Sequence, residues 1–138
     1  MKITNRFVII VIVIVAACLR LFGLPDIPFT HDEFSAMFRT GFGSFSELVE
    51  KGIKPDGHPA GVQVFLFYWI KLSGYREWLV KLPFLLMGVA SVYLIYLISI
   101  KWYNETVGII AASFMATMQY TVMYSQIARP YASGLFFT

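Results

Sequence analysis

The sequence predicts an all-α polytopic membrane protein. Of its 138 residues, 58% are hydrophobic and only 14% are charged, whereas soluble domains carry about 25% charged residues. The apolar residues gather into runs, several of them close to the roughly 20 residues that a helix needs to cross a bilayer. Short polar segments with helix-capping motifs separate these runs. The net charge of +3 is scattered rather than gathered into a basic stripe, so nucleic acid is not an expected partner.

The first predicted element is a membrane span over residues 7–24. Lys2 and Arg6 precede it, and basic residues before a first span place the N-terminus in the cytoplasm. Arg20 lies near the other end, where a long side chain can extend to the membrane surface. The alternative is a lipoprotein signal peptide cleaved at Cys18. The sequence stays apolar after this cysteine, which favours the span.

The polar residues after this span predict an outer loop, 25–78, with short helices on the membrane surface. Two capping-box motifs mark helix starts: Thr30-x-x-Glu33 and Ser44-x-x-Glu47. The predicted helices cover residues 31–40 and 45–51. The first carries apolar side chains at helical spacing on one face, as expected for a helix that lies along a membrane surface.

The apolar run 58–72 is interpreted as a third surface helix. At 1.5 Å per residue it reaches only about 22 Å, against a hydrocarbon core about 30 Å thick. The alternative, a true span, would place Arg129 on the opposite side of the membrane from Asp32 and Glu33. Two longer spans and the start of another complete the prediction. They cover residues 79–100, 107–126 and the segment from 131 onward.

The sequence reaches Thr138 inside an apolar stretch with no helix stop signal. We therefore interpret residues 1–138 as the N-terminal part of a longer transmembrane domain, and expect these residues alone to be inactive. With Cys18 as the single cysteine, a disulfide framework within the chain is excluded.

An acidic pair, Asp32-Glu33, follows the first span and is the main candidate for catalysis. A structural explanation exists, because Glu33 completes the capping box and Asp32 favours a helix N-terminus electrostatically. The functional explanation is a general base together with a positioning or metal-binding carboxylate. Asp32 is the candidate ligand if a divalent metal ion binds. His31 adjoins the pair, and is either part of such a site or a solvated loop residue.

Three basic residues are candidates for binding a phosphate: His58, Lys81 and Arg129. His58-Pro59 opens a predicted helix, whose free amide groups would favour an anion. Arg129 interrupts two apolar runs, and an arginine can bind phosphate through two parallel hydrogen bonds. Each also has a plain explanation, since Lys81 and Arg129 can anchor helices at the membrane interface and His58 can belong to a loop.

The order of these motifs resembles the membrane glycosyltransferases that use polyprenyl-phosphate sugars, including the protein O-mannosyltransferases and bacterial aminoarabinose transferases. The shared motifs are Asp32-Glu33, His58-Pro59, the aromatic run 65–74, Lys81-Leu82-Pro83, and residues 125–132 with the pattern Ser-x-x-x-Arg-x-Tyr-Ala. Two positions depart from the pattern. Ala60 stands where many relatives have a second proline, and Ile127 where many have an acid, which bears on phosphate or metal contacts there.

The resemblance implies a C-type glycosyltransferase fold in the plasma or inner membrane of the cell envelope. It implies inverting transfer of a hexose or pentose, at the outer face, from a polyprenyl-phosphate donor to a hydroxyl or phosphate of a lipid, glycan or protein. Asp32 matches the family's catalytic carboxylate, and Glu33 is its companion. Physical chemistry agrees, because a lipid phosphate leaves readily once basic groups neutralise its charge. No cofactor is implied with certainty, although a divalent metal ion is possible.

The main alternative is a segment of a transporter or channel. Such proteins place charged side chains within their spans, facing a pathway. The central parts of the predicted spans 79–100 and 107–126 contain no ionisable side chain other than tyrosine. A purely structural membrane protein would not need an acidic pair in its outer loop, so an enzyme is the favoured interpretation.

Overall fold

A computed structural model describes residues 3–55 and 59–138, with side chains from residue 6 onward. These residues form helices and short turns, and no strand occurs among them. The helices are α1 (Ile3–Leu21), α2 (His31–Phe38), α3 (Phe45–Glu47), α4 (Ala60–Ser73), α5 (Glu77–Trp102), α6 (Glu105–Thr117), α7 (Gln119–Ser125) and α8 (Pro130–Phe137). A 3-10 turn, Leu24–Asp26, follows α1, and a π-helical segment, Leu48–Ile53, continues α3.

Two helical segments in the described part of the chain are long and apolar enough to cross a membrane. They are Arg6–Asp26 and Glu77–Trp102, with mean hydropathies of 2.9 and 2.1. The prediction of an all-helical membrane protein is therefore confirmed. α6 and α7 together would supply a third crossing if the bent pair is one span. The number of crossings and their orientation stay predictions.

The segment predicted as a span over 107–126 is not one continuous helix, and whether it crosses the membrane stays a prediction. It breaks at Met118, whose backbone is not helical, and α7 leaves α6 at an angle of 60°. Neither proline nor glycine lies at the break. Instead, the Thr121 hydroxyl donates to the carbonyl oxygens of Met115 and Met118, at 2.7 and 2.9 Å. This side chain therefore replaces part of the backbone bonding that a continuous helix would have.

α1, α5 and α6 pack closely around small residues, as membrane helices do where backbones approach. Their shared core is Ile9 and Ala16 of α1, Val92 and Tyr96 of α5, and Ala112 and Ala116 of α6. At Gly108 of α6, an added Cβ would lie 3.0 Å from the Tyr96 ring and 3.1 Å from the Tyr96 carbonyl oxygen, so the two helices approach each other closely at this glycine.

A second core holds the loop that follows α1 against the longer helices. It joins α2, α4, the start of α5, the turn between α7 and α8, and the start of α8 through Ala36, Met37, Leu66, Ile70, Val80, Phe84, Ala128 and Ala132. The first predicted capping box is present, since Thr30 and Glu33 bond reciprocally. The second is only half formed: the Ser44 hydroxyl accepts from the Glu47 amide, but the Glu47 carboxylate accepts from the Gly43 amide instead of the Ser44 amide. α2 is thereby fixed beside residues that are nearly a hundred positions later in the sequence.

Candidate active site

The two acidic residues at the start of α2 lie in opposite environments. Glu33 is fully buried. Its Oε2 accepts hydrogen bonds from the Thr30 amide and hydroxyl, at 2.9 and 3.0 Å, and its Oε1 accepts from the Ala128 amide at 2.7 Å. Both oxygens thus have protein partners. The Glu33 side chain links the start of α2 to the turn between α7 and α8, residues 126–129.

Lys81 is the counter-ion of Glu33. Its Nζ is also fully buried and lies 3.7 Å from Glu33 Oε2. The same ammonium group donates to the carbonyl oxygens of Ile27 and Pro28, at 2.9 and 3.0 Å. Two of the three donors of this ammonium group are thus used within the protein, and its charge is paired with Glu33. The predicted binding of a donor phosphate by Lys81 stays a prediction, and its contacts here belong to the loop.

Asp32 is exposed and faces a shallow cavity of about 240 Å³. The cavity is lined by Thr30, His31, Asp32, Tyr124, Ile127 and Tyr131. The Tyr131 hydroxyl is 3.5 Å from Asp32 Oδ2, at the long limit of a hydrogen bond. The carboxylate is therefore accessible to a substrate. Ile127, one of the two positions that depart from the expected pattern, lies on the wall of this cavity.

Arg129 immediately precedes α8 and is only 5% exposed. Its Nε is buried and has no hydrogen-bond partner within the described part of the chain. Buried polar groups without partners are rare and costly, so this one is a candidate to bind something from outside. Its neighbours in sequence already contact the acidic pair, since Ala128 bonds Glu33 and Tyr131 contacts Asp32.

The remaining predicted site residue, His58, lies outside the described residues. Pro59 directly precedes α4. As for a metal, no three histidine, cysteine, aspartate or glutamate side chains come together in residues 3–55 and 59–138. The predicted role of Asp32 as a metal ligand is not tested by this and stays a prediction.

Arg20 was expected to extend to the membrane surface, and this expectation is wrong. It is fully buried, because its guanidinium finds carbonyl oxygens inside the helix bundle. Nη1 donates to Ala16 and Ala116, and Nη2 to Met115, each at 3.1 Å. An arginine at the end of an apolar run indicated a side chain that reaches water. The carbonyl oxygens that bind it instead lie at the end of α6, next to a helix break that the sequence around Arg20 does not indicate.

Two tyrosines are shared by the Asp32 cavity and a second cavity between the helices. This second cavity measures about 330 Å³, and Arg20, Gly88, Tyr120 and Ser125 are among its lining residues. Tyr124 and Tyr131 line both cavities, and their ring centres are 4.4 Å apart. The two rings therefore form a common wall between the surface cavity at Asp32 and the cavity beside Arg20.

Two apolar helices of membrane-spanning length define a membrane protein. Its candidate catalytic centre is the cavity at Asp32, beside the buried Glu33–Lys81 pair at the start of α2. A family model described as dolichyl-phosphate-mannose-protein mannosyltransferase matches residues 57–138. Because this is more than half of the chain, the protein belongs to that family and is a membrane glycosyltransferase. The family implies a lipid-linked sugar as donor and gives no support to a transporter or channel.

The family match contains His58, Lys81 and Arg129 but begins after Asp32 and Glu33. The hydrogen bond from the Ala128 amide to Glu33 joins the two regions in space. Among curated proteins and among solved structures, nothing matches the chain significantly.

Proposed function

We propose that this protein transfers a mannosyl residue from a polyprenyl-phosphate donor to an acceptor hydroxyl, with Asp32 as the general base. The observation that carries the proposal is the contrast within the acidic pair. Glu33 is buried and fully bonded, whereas Asp32 is exposed at a cavity. A general base must reach the proton that it removes, and only one of the two carboxylates meets that condition.

The proposed reaction is a single displacement at the anomeric carbon. The acceptor oxygen forms a bond to that carbon while the bond to the phosphate oxygen breaks, and the phosphate keeps the electron pair. The proton of the acceptor hydroxyl passes to Asp32. Arg129, with its unpartnered Nε, would stabilise the phosphate as its charge grows. His58 is proposed as a second phosphate ligand.

Glu33 and Lys81 are proposed to position Asp32 rather than to react. Their contacts fix the start of α2 against the α7–α8 turn, so that the first turn of the helix presents Asp32 to the cavity. If a divalent metal ion takes part, Asp32 would be its ligand in this chain and the metal would help to neutralise the phosphate.

The proposed location is the plasma or inner membrane, with several crossings and the N-terminus in the cytoplasm. Lys2 and Arg6 support this orientation through the positive-inside rule. The start of α2, and Asp32 with it, then lies at the outer face, where a lipid-linked donor presents its sugar. The resemblance that the motifs carry allows a lipid, glycan or protein as acceptor, and a hexose or pentose as sugar.

The experiment compares Asp32→Asn with Glu33→Gln in the full-length protein. Transfer of labelled mannose from polyprenyl-phosphate mannose is measured in membranes and normalised to folded protein. Asp32→Asn should lower turnover by about 10²–10⁴-fold, the range for loss of a general base, and leave thermal stability unchanged. Unimpaired transfer by Asp32→Asn would refute the assignment.

Glu33→Gln should act on stability instead. Glutamine replaces one carboxylate oxygen with an NH₂ group, which is a hydrogen-bond donor. At the Oε2 position this group would face Lys81 and Thr30, and at the Oε1 position it would face the Ala128 amide. All three are donors, so one donor would face another in either case. Breaking a buried ion pair costs about 3–5 kcal/mol, so the unfolding temperature in detergent should fall. A stable Glu33→Gln protein with no activity would place Glu33 in the chemistry and contradict the proposed division.

A further inference from the structure

Arg20 is a buried cation for which the proposed reaction has no use. It lies one residue before the end of α1, inside a segment long enough to cross the membrane. Buried charges in membrane segments are costly and usually have a specific partner or function. The partners here are three carbonyl oxygens, two of which belong to α6, and the Thr121 hydroxyl, which lies 3.5 Å from Nη2.

These two carbonyls belong to the last turn of α6, directly before the break at Met118. The last four carbonyls of a helix have no partner within it, and this end carries the negative end of the helix dipole. The Arg20 guanidinium, with donors in a fixed fork, bonds Met115 and Ala116 there at 3.1 Å each. Arg20 therefore caps the end of α6 and stabilises the bend.

The main chain of Arg20 holds the other end of α7. Gln126, just past α7, donates from Nε2 to the carbonyl oxygens of Arg20 and Phe22, at 2.9 and 3.3 Å. The seven-residue helix α7 is thus fastened to α1 before its first residue and after its last. This region of α1 therefore holds both ends of α7.

The direction of α7 determines what lies beside Asp32. Tyr124 of α7 lines the Asp32 cavity, and its ring packs against Tyr131, whose hydroxyl contacts Asp32. Two residues after Gln126, the Ala128 amide bonds Glu33. A rotation of α7 at the bend would shift both tyrosines and the amide relative to the acidic pair.

We propose that Arg20 is a positioning residue for the transfer reaction, holding the bend between α6 and α7 so that the cavity wall stays in place beside Asp32. The effect on transfer rests on the proposed function. The effect of Arg20 on the bend between α6 and α7 is independent of that function. Direct binding of the donor by Arg20 is disfavoured, because Nη1 and Nη2 already bond carbonyls and only Nε lacks a partner.

The test uses the full-length protein with Arg20→Met, Arg20→Lys and a matched pair of threonine variants. Thr121→Val removes the other side chain that bonds across the break. Thr117→Val is the control, since the Thr117 hydroxyl bonds only Ser113 within α6. The measurements are the kcat and KM for polyprenyl-phosphate mannose, and hydrogen exchange of the Ala128 amide compared with the buried centre of α5 around Val92.

We expect kcat to fall by about 10²-fold in Arg20→Met, the loss that a misplacement of 1 Å can cause, while the KM for the donor changes less than threefold. Exchange should rise at Ala128 and stay unchanged around Val92. Arg20→Lys should keep a higher kcat than Arg20→Met, because its ammonium group can reach some of the same carbonyls. Thr121→Val should show a weaker effect of the same kind, and Thr117→Val none.

Several results would overturn the proposal. A raised KM with unchanged kcat would make Arg20 a donor ligand. Equal rises in exchange at Ala128 and Val92 would make it a general stabiliser, and unchanged exchange at Ala128 would show that it does not hold the bend. If Arg20→Met does not fold, Thr121→Val and Arg20→Lys decide by the same criteria. If the unsubstituted protein does not consume the donor, the proposed function fails, and the exchange data alone decide whether Arg20 holds the bend.

Discussion

Substitution of Gly88 by alanine is the most direct test of how α5 and α7 are packed. An added Cβ at Gly88 would lie 2.5 Å from Ser125 Cβ and 3.3 Å from Arg20 Nε. Carbon atoms are at their optimal separation at about 3.5–4.0 Å, so the two helices would have to separate by about 1 Å. Ser125 Cβ cannot rotate away, because it is attached directly to the backbone of α7.

The size of the effect is obtained by comparison with Gly134, which lies in α8. An added Cβ there meets nothing within 4 Å, so Gly134→Ala should show only the gain in helix propensity, about 1 kcal/mol at most. Gly88→Ala has the same gain but also overpacks the interface, which typically costs about 1–3 kcal/mol. The difference in unfolding free energy between the two variants should therefore be about 1–3 kcal/mol, with Gly88→Ala the less stable.

The assay is reversible unfolding of the full-length protein in mixed micelles, with transfer activity measured alongside. Adding Ser125→Gly to Gly88→Ala removes the clashing atom and should recover most of the lost stability. Ser125→Gly alone completes the cycle, because this change also removes the bond from the Ser125 hydroxyl to the Val122 carbonyl. Equal stability of Gly88→Ala and Gly134→Ala, or no recovery in the double variant, would refute the packing of α7 against α5.

Two further predictions concern the orientation of the chain and the phosphate site. Cysteines placed at Ser44 and Asn104, in a Cys18→Ser background, should react with an impermeant maleimide from opposite sides of the membrane, since α5 crosses between them; labelling of both from one side would contradict this crossing. Arg129→Ala should lower turnover by about 10²–10³-fold, the usual loss for a preorganised donor, and Arg129→Lys should lower it less, since the charge remains without the fork. Full activity of Arg129→Lys, with reduced stability of Arg129→Ala, would instead identify an interfacial anchor.

The local features of this fold could be predicted from the sequence, because their causes are local. Thr30-x-x-Glu33 is a capping box in the structure, as its spacing indicated. The same motif did not reveal that Glu33 also bonds the Ala128 amide and pairs with Lys81. These partners are 95 and 48 positions later, and no short pattern encodes such distances.

The break between α6 and α7 could not be predicted for a related reason. Residues 107–126 have the continuous apolar character of a single helix, and Thr121 alone is a weak signal for a break. At the break, Arg20 supplies donors for two carbonyls in the last turn of α6. An arginine near the end of an apolar run is ordinarily expected to reach water, and only the assembled bundle offers it an alternative.

The capping of α6 by Arg20 has a consequence for biogenesis. The acceptor at Ala116 is synthesised 96 residues after the arginine, and at about 5–20 residues per second this takes roughly 5–20 seconds. During that interval, of the contacts described above, the guanidinium can make only the bond to the Ala16 carbonyl within α1, and its place near the end of the helix lets the side chain reach the headgroups. The bonds to Met115 and Ala116 can form only once α6 has been synthesised, so the buried contacts of Arg20 are late contacts of this fold.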